Sequence, residues 1–180
     1  MSQADDMKVT EGGPHAAEQL LVMLDEHSSW LVPVQYVNLM ATLEWEEHPR
    51  PPIVKQILSH ARDGQIRICR NRLGRPMGGS VLTGTAPEFV PRAEEPELYL
   101  HFLVTGREEA RRSGIEALVT DARAEAARRG VRLLRTHCWA GEDGRLVREY
   151  EELGFTATLE FEELRSDGSY WPGRILQTRV

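Results

Sequence analysis

The residues whose types and spacing can do chemistry are gathered between positions 98 and 155. Arg111-Arg112-Ser113-Gly114-Ile115-Glu116 follows the apolar run 98–104 and opens a long helical pattern. The first turn of a helix carries N–H groups without intrahelical partners and a partial positive charge. Two arginines and a glycine at that point therefore make a seat for a phosphate-bearing ligand. A second apolar run, 131–139, is followed by Tyr150-Glu-Glu-Leu-Gly154-Phe155. Strand, basic and glycine-containing turn, helix, strand and a late Tyr-x-x-x-Gly-Phe form one layout. The two cysteines, Cys69 and Cys138, each lie inside a strand pattern and lack the close spacing of a zinc or redox site, so they read as buried free thiols. Cys138 has no neighbouring base in the sequence to activate it as a nucleophile.

Positioning these residues requires a sheet. Run 98–104 is apolar at nearly every position, as in a strand covered on both faces. The helix after it places Ile115, Leu118, Val119, Ala122 and Ala126 three and four residues apart and stops at Arg128-Arg129-Gly130. Run 131–139 is a further buried strand, 142–153 a helix closed by Gly154, and 155–164 and 175–180 two more strands. Upstream, 65–70 and 77–83 form a hairpin around a turn at 71–76. In the second of its strands, Gly78 and Gly79 signal close approach of something to the backbone. Residues 15–27 fit a helix face, and Pro52 starts a helix that ends at Asp63-Gly64. The segment 30–45 fits a helix from Pro33 or a short strand at 30–32, with helix favoured. Residues 1–13 read as a polar, flexible tail, and 84–96 as a surface loop of the kind that shapes a substrate mouth. The result is an α/β (α+β) domain at 14–180, a mixed, mostly antiparallel sheet of six to seven strands with helices on both faces and a right-handed strand-helix-strand crossover.

A chain of 180 residues can bury a full core as a single globular unit. Its net charge of −6 argues against a general nucleic-acid surface and mildly favours a cationic partner. Arg67, Arg70, Arg72 and Arg75 then read as a basic hairpin surface. No apolar leader and no run of some 18 apolar residues occurs, so no membrane partner is expected and a cytoplasmic location is.

On the residues quoted above, the chain resembles the GNAT superfamily of acyl-CoA N-acyltransferases over 65–180, with helical N-terminal elements completing the fold. The family's Arg/Gln-x-x-Gly-x-Gly/Ala signature stands here as Arg111-Arg-Ser-Gly114-Ile-Glu116, and its late Tyr and Gly-Phe as Tyr150 and Gly154-Phe155. Two departures stand out: Glu116 replaces a Gly or Ala, and the segment 104–111 is longer than the family's. Glu116 either points to solvent or alters the pyrophosphate pocket.

The resemblance implies acetyl-CoA as cofactor. Its pyrophosphate would lie on Arg111, Arg112, Ser113, Gly114, Ile115 and Glu116, and its pantetheine arm on the backbone of Leu103, Val104 and Gly106. One backbone N–H there would polarise the thioester carbonyl. The amine of a small molecule would attack directly in a ternary complex, with Tyr150 as general acid. His101 could deprotonate the incoming ammonium, directly or through water. Glu97 is a rival base, and His137 a weaker one. The acidic run Glu44-Trp45-Glu46-Glu47 is a solvated helix face or, if it lines the acceptor cleft, a seat for an amine through ion pairing and cation–π contact. No metal is implied, and a homodimer follows from the resemblance alone. A longer-chain acyltransferase using acyl-CoA or acyl-carrier protein, and a non-catalytic acyl-CoA-binding sensor or interaction module motivated by Glu116, are the alternatives.

Overall fold

Alternating and continuous apolar runs build a sheet whose strands are joined by helices at the expected places. The computed structural model describes residues 7–13, 15–28, 52–105, 111–164 and 168–180. The helix-or-strand choice at 30–45, the acidic run at 44–47, and Gly106 lie outside the described residues.

The elements are β1 (Lys8–Glu11), α1 (Ala16–Ser28), α2 (Pro52–Arg62), β2 (Ile66–Arg70), β3 (Pro76–Thr83), β4 (Glu97–Thr105), α3 (Arg111–Arg128), β5 (Leu133–Trp139), a 3-10 turn (Glu142–Gly144), α4 (Arg145–Glu152), β6 (Thr156–Leu164) and β7 (Tyr170–Arg179). Seven strands form a mixed sheet in the order β1-β2-β3-β4-β5-β7-β6. The β4–β5 pair is parallel, and β1–β2, β2–β3, β5–β7 and β6–β7 are antiparallel. None of the described helices is long and apolar enough to cross a membrane.

Strand β5 begins at Leu133, and the helix expected over 142–153 starts only at Arg145, after the 3-10 turn; two further boundaries differ more. Residues 8–11, read as part of a flexible tail, form β1 and pair with β2 from Lys8↔Arg70 to Glu11↔Arg67. Four residues in a polar stretch carry no periodicity to read, and the pairing is a backbone effect. Strand β7 begins at Tyr170, ahead of the expected Ile175. Pro172 and Gly173 look like breakers, but the Pro172 carbonyl accepts from Ala140 N at 2.9 Å. Across the β6–β7 ladder, Phe161 lies opposite Gly173, and its ring occupies the space that a Cβ on the glycine would need.

The chain divides into two compact units: the described residues of Met1–Val81 with Phe102–Asp121, and Leu82–His101 with Ala122–Val180. The core of the first is Ala16, Ala17, Leu20 and Met23 of α1, Ile57 of α2, Ile66 and Ile68 of β2, Val81 of β3 and Val104 of β4. Gly79 makes the α1 contact possible: a Cβ there would stand 2.9 Å from Leu20 Cδ1 and 3.2 Å from Arg67 O. In this unit Arg67 forks onto Asp121, Nε to Oδ2 at 2.8 Å and Nη2 to Oδ1 at 2.6 Å. Arg70 donates to Gln19 Oε1 at 2.9 Å. Two arginines of the basic hairpin are thus engaged within the fold.

In the second unit Val90, Tyr99 and Ile175 are buried together, with Ala86 and Phe161 packed on them. The long helix ends as its sequence requires. Gly130 takes φ +68, Gly130 N reaches Ala127 O at 3.0 Å and Val131 N reaches Ala126 O at 2.9 Å, a Schellman closure.

Candidate active site

The first unit holds the junction of β4 with the start of α3. Gly114 is buried, and a Cβ on it would lie 3.2 Å from Thr105 Cγ2. Gly78 does the same from β3: a Cβ there would stand 2.9 Å from Val104 O and 3.2 Å from both Leu118 Cδ1 and Thr105 Cγ2. Two glycines thus let the helix press against the strands that carry it. The first-turn N–H groups of α3 are held close to the C-terminal end of β4 as a result. Ser113 is buried beside Gly114, whereas Arg112 is exposed.

Glu116 faces along the helix surface. Arg112 Nε donates to Glu116 Oε1 at 3.1 Å, with the two side chains 80% and 37% exposed. The carboxylate is thus paired along the helix with Arg112 and partly exposed. Their charges offset each other locally, and the backbone N–H groups of the first turn give this helix start positive character.

Strand β4 carries a backbone feature that composition does not reveal. Phe102 adopts φ +40, which is unusual for a bulky residue and costs on the order of 1–3 kcal/mol. Its ring stands 6.5 Å from that of His60 and packs on the core of the first unit, which holds it in place. Leu103 and Val104 follow directly, with Leu103 half-buried and Val104 buried. Such an outlier interrupts the regular pleat where the backbone contacts of a ligand were expected.

The second unit contains the titratable candidates. Tyr99 and His101 share one face of β4, with ring centroids 4.8 Å apart. His101 Nε2 lies 2.6 Å from Thr83 Oγ1, and that hydroxyl donates to Thr85 O at 2.7 Å. Tyr99 OH is 2.8 Å from His137 Nδ1. His137 is ringed by Phe89 at 5.1 Å and Phe161 at 6.0 Å. Desolvation among these rings pulls its pKa down to about 4, which makes it neutral at pH 7 and a weak base. Burial pushes the Tyr99 hydroxyl well above its ordinary value, so it stays protonated.

Glu97 is placed differently from a base. Arg135 grips it with two nitrogens, Nε to Oε2 and Nη2 to Oε1, the second at 3.0 Å, and also donates to Pro91 O at 3.0 Å. The two side chains are 8% and 7% exposed. The hydrogen bonds that Arg135 donates to Glu97 are the main cause holding the guanidinium protonated. A carboxylate with both oxygens committed to a buried guanidinium is a structural ion pair. Cys138 is buried, and desolvation pushes its thiol up to about 12, which removes it as a nucleophile at neutral pH.

Tyr150 comes from α4 and is 8% exposed, its ring edge-on to Phe155 at 5.7 Å. The Gly-Phe that follows has a clear physical task. Arg123 of α3 donates from Nη2 to Leu153 O at 2.5 Å and lies 5.7 Å from the centre of the Phe155 ring. Gly154 takes φ +92, and a Cβ on it would meet Arg123 Nη2 at 2.8 Å. The helix end that carries Tyr150 is thus held by an arginine that sequence reasoning did not single out. Thr83 and Tyr99 were missed for the same reason: their partners lie 18 and 38 residues away. Leu103, Val104 and 111–116 belong to the first unit, and Glu97, His101, His137 and Tyr150 to the second. No cluster of three metal-ligating side chains exists among the described residues.

Compared by sequence, the chain matches no protein-family model and no curated protein. Compared by structure, it matches many acetyltransferases of the GNAT family. A GNAT-family acetyltransferase from Listeria monocytogenes superposes with a TM-score of 0.67 at 16% identity, over 97% of this chain and 95% of that one. A polyamine N-acetyltransferase from Drosophila melanogaster, which catalyses formation of N-acetylagmatine, gives 0.67 at 15% identity, over 97% of this chain and 100% of its own. A Salmonella typhimurium protein solved with its cofactor acetyl-CoA gives 0.61 at 13% identity, over 97% and 94%. The chain has the GNAT fold.

Proposed function

We propose that this chain, built on the GNAT fold, is an N-acetyltransferase that moves an acetyl group from acetyl-CoA to a primary amine of a small molecule by direct attack. The observation that carries the reading is the β4–α3 junction: two glycines seat the helix start against β4, directly after the positive-φ residue Phe102. The residues there fit the cofactor. Arg111 and the N–H groups of 112–115 would hold its pyrophosphate, and the backbone of Leu103 and Val104 its pantetheine arm. When bound, the cofactor supplies an activated acyl thioester.

His101 takes the proton that an ammonium must lose before its nitrogen can attack, and Tyr150 holds a proton at its hydroxyl for the leaving sulfur. Tyr150 packs edge-on against Phe155, which orients its ring. A small cationic amine is favoured by the net charge of −6. It is also the substrate class named for the Drosophila neighbour. The buried free thiols Cys69 and Cys138 suit a reducing, cytoplasmic setting. A homodimer is carried from the family resemblance and is checked by sedimentation.

Isothermal titration with acetyl-CoA, followed by thiol-release assays over an amine panel that includes agmatine and polyamines, tests the reading. Absence of binding at millimolar cofactor overturns it. Tyr150→Phe should lower turnover and leave cofactor affinity unchanged, and acyl-CoA donors of increasing length in the same assay separate acetyl from longer-chain transfer. The non-catalytic alternative is motivated by Glu116, and cofactor binding without turnover on any amine would favour it.

A further inference from the structure

We infer that Thr83 is a positioning residue that fixes His101 as the Nε2–H tautomer and so makes Nδ1 its proton-accepting nitrogen. The inference rests on the proposed acetyl transfer only for the source of the proton. Thr83 Oγ1 lies 2.7 Å from Thr85 O and 2.6 Å from His101 Nε2. A carbonyl oxygen has no proton to give, so the single hydroxyl proton goes to Thr85 O. What Oγ1 offers His101 is a lone pair, and the 2.6 Å approach is a hydrogen bond only when Nε2 carries the proton. In a neutral ring the lone pair then sits on Nδ1.

The direction of this bond does not change when His101 is protonated. A cationic donor makes it shorter and stronger, so Thr83 favours the imidazolium over the neutral ring and holds the plane of the ring throughout. Thr83 is buried at the end of β3, and its acceptor is the backbone two residues on, so the arrangement is anchored by the chain itself. Two pairs of described groups lie beside the ring. On β4, the Tyr99 ring lies tilted to that of His101 at 4.8 Å, with its hydroxyl 2.8 Å from Nδ1 of His137 of β5. Arg135 of β5 lies 5.9 Å from the centre of the Tyr99 ring and is matched by Glu97. With an ammonium in place, one proton would pass from its nitrogen to Nδ1, and the ring would become an imidazolium with Nε2–H still on Thr83. The proton on Nδ1 then returns to solvent.

The test is a long-range 1H–15N NMR titration of His101 in the wild type, Thr83→Val and Thr83→Ser, with pH profiles of kcat/KM alongside. In the wild type and Thr83→Ser, Nδ1 should resonate as a pyridine-like nitrogen at neutral pH. Thr83→Val should lower the imidazolium pKa by about half to one unit. The acid limb of kcat/KM should move by the same amount and kcat should fall about ten-fold, and Thr83→Ser should restore both. An Nδ1–H tautomer in the wild type, or one His101 pKa shared by all three proteins, overturns the inference. Should Thr83→Val fail to fold, the wild-type tautomer still decides it. The expected tautomer and pKa shift without acetyl transfer to any amine would leave Thr83 in its role and overturn the transferase reading instead.

Discussion

Arg112 and Glu116 stand one helical turn apart on α3, with Nε donating to Oε1 over 3.1 Å. The pair is exposed and adds at most about 0.5 kcal/mol to stability. Its consequence is electrostatic, because it places a negative charge in the second turn of a helix whose first turn is proposed to hold pyrophosphate. Glu116→Ala should leave stability within about 0.5 kcal/mol. It should tighten acetyl-CoA binding about two- to five-fold, the worth of ~0.3–1 kcal/mol of charge near a helix start. Calorimetric titration reads this directly, and an unchanged dissociation constant would show that the carboxylate has no bearing on the site.

Removing one member of the Glu97–Arg135 pair strands the other in a site where both side chains are less than a tenth exposed. Glu97→Ala should cost about 3–5 kcal/mol in urea unfolding, and Glu97→Leu combined with Arg135→Met should recover much of that loss. The acid limb of the activity profile should stay in place in Glu97→Gln, because the carboxylate is bound to Arg135. A displaced limb would return Glu97 to the role of base.

Arg123 and Gly154 depend on each other. Gly154→Ala forces a side chain into φ +92 and against Arg123 Nη2. The strain alone is about 1–2 kcal/mol. Arg123→Met loses the bond to Leu153 O, worth about 1–2 kcal/mol. Because both changes break the same contact, the double variant should be less destabilised than the sum of the singles, and thermal unfolding of the four proteins checks it.

Acid should weaken the protein in two separate windows. His137 titrates near 4 in the folded chain against an ordinary 6.5. Between those values the unfolded chain binds the extra proton, so stability falls as pH drops from about 6.5 to 4, by up to about 3 kcal/mol. Hydrogen bonds from Arg128, with Arg129 adding to them, hold Glu125 at about 2 against 4.5. Its contribution is complete above 4.5 and is lost from there down to about 2. Urea midpoints at pH 7, 5.5 and 4.5 should therefore decline in the wild type and flatten in His137→Gln. An equal decline in both proteins would assign the loss to other groups.

Strand β4, helix α3 and strand β5 are legible in the sequence because each buries its own apolar pattern: Leu98 to Leu100, the spacing of Leu118, Val119, Ala122 and Ala126, and Leu133 with Leu134 are all fully or nearly buried. Local propensity and burial agree there. What escapes is whatever depends on distant partners or on backbone geometry alone. Arg123 looks like one more helical cation until it meets Leu153, 30 residues on. Phe102 has an ordinary strand identity and an unusual φ. Glu97 reads as a free carboxylate because its partner is 38 residues away. The candidate site was visible where it consists of a helix start and hidden where it consists of a hydrogen-bond network.

The two cysteines, one in each compact unit, are a built-in probe. Burial pushes Cys69 up to about 11 and Cys138 up to about 12, so neither thiol should colour a disulfide reagent while the chain is folded. A thiol-release assay would then run against a silent background. Under mild denaturant, the order in which the two sites become alkylated would report which half of the molecule opens first, without a label being added.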